Sequence, residues 1–167
     1  EIFKAPEDEH FDLAMSLEVA EHLEEEAADN FVRQLTKISD RILFSAAIPD
    51  QGGLHHLNER PPSYWAKKFK TYGFNQLDFL RPLFWDDERI EWWYRQNFLI
   101  YEKHMDADSK TQSSPLEPTF GGAHVVHPVA FREKQIELDI DNASAGNLAK
   151  AFLRRLFRQI DKKPPGK

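Results

Sequence analysis

Phe11-Asp12-Leu13-Ala14-Met15-Ser16-Leu17-Glu18-Val19-Ala20-Glu21-His22-Leu23 is the stretch on which the fold turns. Phe11, Leu13, Met15 and Leu17 alternate, with Ala14 between them, which predicts a mostly buried strand of about six residues. The period then changes. Leu23, Ala27, Phe31, Leu35 and Ile38 recur at helical spacing, with Ala28 and Val32 beside them and acids on the outer face. Asp40 ends that helix, and Arg41 to Ile48 read as a second buried strand stopped by Pro49. Strand, helix and strand joined this closely predict a parallel pair with a right-handed crossover.

Downstream, residues 49–60 form a polar loop carrying Gly52-Gly53 and His55-His56. Pro61-Pro62 opens a helix, because proline suits a first helical turn. Trp65, Phe69 and Tyr72 give it an apolar side, and Gly73 stands where a left-handed cap belongs. Residues 74–80 are predicted as a third strand, 82–95 as a short aromatic helix and 97–101 as a fourth strand. Residues 104–119 read as a Ser/Pro/Asp linker. In the 120–167 tail, residues 144–161 place Leu148, Phe152, Leu156 and Ile160 on one face of a basic helix. The expectation is an α/β fold with helices on both faces of the sheet. Ligands bind beyond the carboxyl ends of parallel strands, and Glu18–His22 and the 49–60 loop both fall there.

Composition narrows the function classes. The chain has 167 residues, enough for a domain with a core, and a net charge of -6 that argues against nucleic acid as a partner. Residues 1–30 hold eleven acids and one base, whereas residues 143–167 hold seven bases and one acid. The basic helix is therefore expected to be a docking face, with the acidic helix at 24–29 as one candidate partner. Cysteine is absent, which removes disulfides, thiolate metal sites and Cys nucleophiles and fits a cytoplasmic location. No apolar run approaches the ~18–20 residues that span a bilayer.

Glu18, Glu21 and His22 stand at i, i+3 and i+4, so a helix beginning near residue 18 would put all three on one face. Two carboxylates and an imidazole suit Mg²⁺, Mn²⁺ or Zn²⁺, and His56 on the neighbouring loop is the expected fourth ligand, ahead of His55. Alternatively, the acids favour a helix N-terminus and His22 bonds locally. Without a metal, His56 or His22 can act as a general base. An acceptor pocket is expected from Trp85, Tyr94, Arg81 and Arg95, whose aromatic faces and guanidinium groups suit a sugar, a ring or an anion, with Tyr64 near the same rim. The bland reading of the aromatic stretch is a small core on the sheet edge. His124 and His127 lack a third ligand at useful spacing and are not expected to bind metal.

The run from Phe11 to Leu23, with its Glu18-Val19-Ala20-Glu21-His22 signature, resembles the fourth strand and following helix of class I S-adenosylmethionine-dependent methyltransferases. Residues 41–49 look like their fifth strand, Gly73-Phe74 like the turn into the sixth, and Asn97 to Tyr101 like the antiparallel seventh. The resemblance covers roughly residues 8–103. It implies the C-terminal half of a Rossmann-like sheet, parallel strands plus one antiparallel strand, followed by a helical tail. S-adenosylmethionine would be the cofactor, with the end of the first strand, at Ser16, Leu17 and Glu18, as one wall of its pocket. Some relatives with this signature are small-RNA 2′-O-methyltransferases and ubiquinone-pathway O-methyltransferases that use a metal. The family's Gly-rich turn and second-strand acid cannot be placed in residues 1–167, so three strands are implied upstream. Methyl transfer to an oxygen of a small-molecule or glycan acceptor is the activity implied. The alternative is a non-catalytic binding or scaffolding module that keeps half the fold. Without upstream strands, the edge of the first strand would be open, and a homodimer is one way to cover it.

Overall fold

A computed structural model describes residues 4, 6, 8–104 and 124–141, with side chains in the last helix to residue 137. The chain divides into two units, Glu1–His127 and Pro128–Lys167. The first contains β1 (Ala14–Leu17), a 3-10 turn (Ala20–His22), α1 (Glu25–Ile38), β2 (Arg41–Ser45), α2 (Pro62–Thr71), β3 (Phe74–Leu77), α3 (Leu80–Phe84), α4 (Trp92–Asn97) and β4 (Leu99–Lys103). The second contains α5 (Pro128–Asp141), whose Phe131 and Ile136 are exposed. The linker expected at 104–119, apart from His104, and the basic helix at 144–161 lie outside the described residues.

The fold is α/β, built on a four-stranded open mixed sheet of order β1-β2-β4-β3. β1 and β2 are parallel, with Ala14 opposite Ile42 and Leu17 opposite Ser45. β4 runs antiparallel to both β2 and β3. The predicted α1 stripe is buried: Ala27, Phe31, Leu35 and Ile38 all face inward. It shares one core with Trp65 and Phe69 of α2 and with Ile42, Phe44, Phe74, Leu99 and Tyr101 of the sheet. Phe69 and Tyr101 stack at 3.9 Å, and Phe44 meets Trp65 at 5.2 Å and Phe69 at 5.3 Å. Aromatic pairs in such geometries add roughly 0.5–1.5 kcal/mol beyond the area they bury. Pro62 opens α2, and Gly73 follows it at φ 82, as the spacing predicted.

The first strand differs from expectation. Ala14 and Ser16 face the core, while Phe11, Leu13 and Met15 are 44%, 42% and 57% exposed. The reason lies in the cross-strand row Met15–Leu43–Ile100–Leu77, which alternation puts on the opposite face of the sheet. Ile100 in that row is buried, with α3 against β4 and α4 against β2, but among the described residues Met15 of β1 is left exposed. Among the described residues, the helices thus bury the face of Ala14, Phe44 and Tyr101 and leave Met15 on the other exposed. The aromatic segment also forms two short helices, α3 and α4, rather than one.

Candidate functional site

The site is set by a backbone reversal at the end of β1. Glu18 has φ 51, and its N–H donates to the carbonyl oxygen and to the hydroxyl of Ser45, each at 3.0 Å. A left-handed residue ends the extended path, and the chain continues as a 3-10 turn closed by His22 N–H on the Val19 carbonyl at 3.1 Å. α1 begins only at Glu25. The expectation that Glu18, Glu21 and His22 share a helical face is therefore corrected: Glu18 precedes the turn and leaves in another direction.

Glu21 and the 49–60 loop hold each other. The Glu21 carbonyl accepts from Leu57 N at 2.8 Å and Asn58 N at 2.9 Å. This brings the loop's histidines to Glu21 and His22, with the His22 and His56 ring centroids 4.9 Å apart. Each ring has Nδ1 engaged: His56 with Glu59 Oε1 at 2.8 Å, and His22 with the His55 carbonyl at 3.2 Å. An acceptor at Nδ1 fixes the N–H there and leaves the Nε2 lone pair for a ligand, the arrangement typical of metal-binding imidazoles. Glu59 is itself anchored by Gly52 N–H at 2.8 Å. Gly53 packs against His56 so closely that a Cβ would lie 2.3 Å from its ring. Glu59 was not singled out from sequence, and Gly53 was noted only as part of the loop, because supporting a histidine from within one loop leaves no periodic mark.

Among the described residues, Glu21, His22 and His56 bring three ligand atoms within 4.8 Å of one another. Glu21 is 0% exposed, and neither carboxylate oxygen has a hydrogen-bond partner of good geometry, only weak approaches of its own and the Ala47 backbone N–H. Burial, and then the charge of Glu18, push its pKa up from 4.5 to about 7. A buried carboxylate without partners is costly, and a cation would relieve it. One carboxylate and two oriented imidazoles fit a borderline divalent ion, and the exposed side of His22 gives access. Glu18, expected as a ligand beside Glu21 and His22, is not in this set, whereas His56, expected from the neighbouring loop, is.

Glu18 instead ends a chain of buried amides. Its carboxylate accepts from Gln51 Nε2 at 3.1 Å and from Asn97 Nδ2 at 3.1 Å. Gln51 Oε1 accepts from Asn97 Nδ2 at 2.9 Å and Gln96 Nε2 at 3.2 Å, and Gln96 Oε1 accepts from His127 N–H at 2.7 Å. Gln96 and Asn97 are 1% and 3% exposed. Sequence reasoning missed this network, since amides separated by dozens of positions carry no spacing signal.

The residues expected around an acceptor do not form one surface. Arg81 is 0% exposed, with its guanidinium on both carboxylate oxygens of buried Asp78. Arg95 is also buried and donates to the Trp85 carbonyl at 2.9 Å. Those guanidinium groups serve the fold, so the expectation that they face an acceptor is corrected. Trp85 is half-buried, its ring 4.7 Å from His127, and Tyr94 stacks on Phe98 at 5.5 Å. Tyr64 lies on α2, with the Lys68 ammonium 4.8 Å and the Arg60 guanidinium 5.4 Å from its ring. Ser16 is buried and Leu17 half-buried at the strand end beside this rim.

No family model, curated protein or solved structure matches the chain. Among the described residues, no helix is long and apolar enough to cross a membrane.

Proposed function

We propose that this chain belongs to an S-adenosylmethionine-dependent methyltransferase acting on a hydroxyl of a small-molecule or glycan acceptor, with Glu21, His22 and His56 as holders of a divalent ion. The observation that carries the reading is the Glu21 carboxylate, wholly buried, without a partner, and beside two imidazoles whose Nδ1 atoms are already engaged. The α/β sheet with an antiparallel last strand agrees with the resemblance drawn from Phe11 to Leu23, as does the position of the set beyond the ends of the parallel pair.

When bound, the cofactor would supply an electrophilic methyl on a sulfonium, and an ion held by Glu21, His22 and His56 would supply Lewis acidity toward the acceptor hydroxyl. The chain's own contribution is positional. Glu59 and the His55 carbonyl fix the two rings, Leu57 and Asn58 hold the turn, and Ser16, Leu17 and Glu18 offer a wall to the cofactor. Orientation of this kind is worth several orders of magnitude in a displacement.

Two measurements test it. Calorimetric titration of the full-length protein with S-adenosylhomocysteine is expected to give micromolar binding; absence of heat would favour the binding-module alternative. Elemental analysis of the purified protein beside Glu21→Ala is expected to show a divalent metal in the first alone. Equal, near-zero metal in both removes the ion from the reading.

A further inference from the structure

We infer that Gln51 and Asn97 are positioning residues that reserve Glu18, holding its carboxylate out of the Glu21/His22/His56 set, so that the centre is a two-imidazole, one-carboxylate site for a borderline ion such as Zn²⁺, Co²⁺ or Fe²⁺ rather than for Mg²⁺. The inference rests on the ion-binding part of the function proposed above and adds the identity of the ligands, the class of ion and the residues that decide both.

Two carboxylates three positions apart have opposite surroundings. Glu21 has no hydrogen-bond partner for either oxygen, whereas Glu18 receives donors on both. The backbone enforces the difference, because the left-handed Glu18 is tied to Ser45 while Glu21 lies past it on the 3-10 turn. The amide chain has one consistent direction. An ionised carboxylate only accepts, so Gln51 and Asn97 must present their NH₂ groups to Glu18. Gln51 Oε1 is then available to Gln96 Nε2, to Asn97 Nδ2 and to the Ile48 N–H at 3.3 Å. Gln96 Oε1 in turn takes the His127 N–H at 2.7 Å. Withdrawing Glu18 toward an ion would strip acceptors from two amide donors at the head of this chain, one of them on a residue only 3% exposed.

The donor set that remains decides the ion. Mg²⁺ takes oxygen ligands and keeps much of its water, so a site with two nitrogens and one carboxylate suits it poorly. Imidazole-rich sets select the later divalent ions, and three protein ligands leave coordination positions for a hydroxyl.

Cobalt(II) titration of the metal-stripped, full-length protein, followed by its visible absorption and by Mg²⁺ competition, provides the test. The wild type is expected to bind Co²⁺ and to keep it against a large excess of Mg²⁺. Glu21→Gln should weaken Co²⁺ by about 100-fold, the upper end of what even an outer-shell partner carries. Glu18→Gln, nearly isosteric, should change it by less than about threefold, below the range for a ligand or its direct support. Gln51→Ala with Asn97→Ala should free Glu18, raising Mg²⁺ affinity by roughly tenfold and altering the Co²⁺ spectrum. If Glu18→Gln weakens Co²⁺ as much as Glu21→Gln does, Glu18 is a ligand, and the inference fails while the ion-binding reading stands. If the wild type binds no Co²⁺, both fail. Should the double variant not fold, the Glu18→Gln arm alone decides.

Discussion

Glu21 and Asp78 are both carboxylates inside the same unit, and they illustrate opposite uses of burial. Asp78 is 1% exposed and meets a buried guanidinium, that of Arg81, three residues along the chain. Glu21 is 0% exposed and meets no side chain that hydrogen-bonds its carboxylate, only two imidazoles nearby. A paired charge in the interior is a local settlement between neighbours and serves the fold. An unpaired one is a liability that the fold tolerates only where something else arrives to meet it. The contrast is also one of geometry: Asp78 and Arg81 sit on one short segment, whereas Glu21 is enclosed by a loop more than thirty positions away.

The largest effect is expected from Arg81→Leu. It abandons Asp78 in the interior and should destabilise the protein by about 3–5 kcal/mol in urea unfolding. A loss below about 1 kcal/mol would show that Asp78 had reached water or another donor, and its contrast with Glu21 would then not depend on Arg81.

Glu21→Gln should act the other way in metal-free protein. Its folded pKa of about 7 exceeds the ordinary 4.5, so the folded state holds the proton more tightly than the unfolded chain. Stability should therefore fall as pH rises from 4.5 to about 7, by up to about 3 kcal/mol, and be flat in Glu21→Gln. Identical slopes in both proteins would mean that Glu21 is solvated or already paired.

Gly53→Ala should displace the His56 ring, since the added methyl has no room beside it. Ion affinity measured by calorimetry should drop about tenfold, with Tm nearly unchanged. An unaltered affinity would remove His56 from the donor set.

The smallest effect calibrates the rest. Asp40, 49% exposed, has its pKa lowered by the Lys103 ammonium at 2.9 Å. The stability this confers is present above the ordinary carboxylate range and lost as pH falls through the depressed value. Lys103→Ala should cost less than about 1 kcal/mol. A loss as large as that of Arg81→Leu would mean that exposed pairs matter as much here as buried ones.

Much of the frame was legible because it is periodic. The α1 stripe, the buried second strand, the Pro62 start and the Gly73 cap all follow from repeats or from residues with restricted backbones. The approach of His56 to His22 was legible because two neighbouring loops had to meet at the ends of a parallel pair. What escaped was aperiodic. Nothing in Glu18 announces a left-handed conformation, which glutamate seldom adopts, so the helical register drawn through Glu18, Glu21 and His22 began too early. The alternation of Phe11, Leu13 and Met15 was real, but burial of a strand's face depends on what packs above it, and that is not written in the strand. Arg81 and Arg95 looked like ligand-binding groups because sequence gives charge without depth.

The open side of β1 has a kinetic consequence. Among the described residues β1 pairs with β2 alone, over four positions, and it leads directly into Glu18 and the turn of Glu21. Where no further strand pairs with its other side, β1 opens at a lower free energy than β2 and β4, which are each held on both sides. In a hydrogen-exchange experiment its amides should become labelled well before those of β2 and β4. Each such opening would also unseat Glu18 from Ser45, so the site should dissolve and re-form many times within one lifetime of the folded chain.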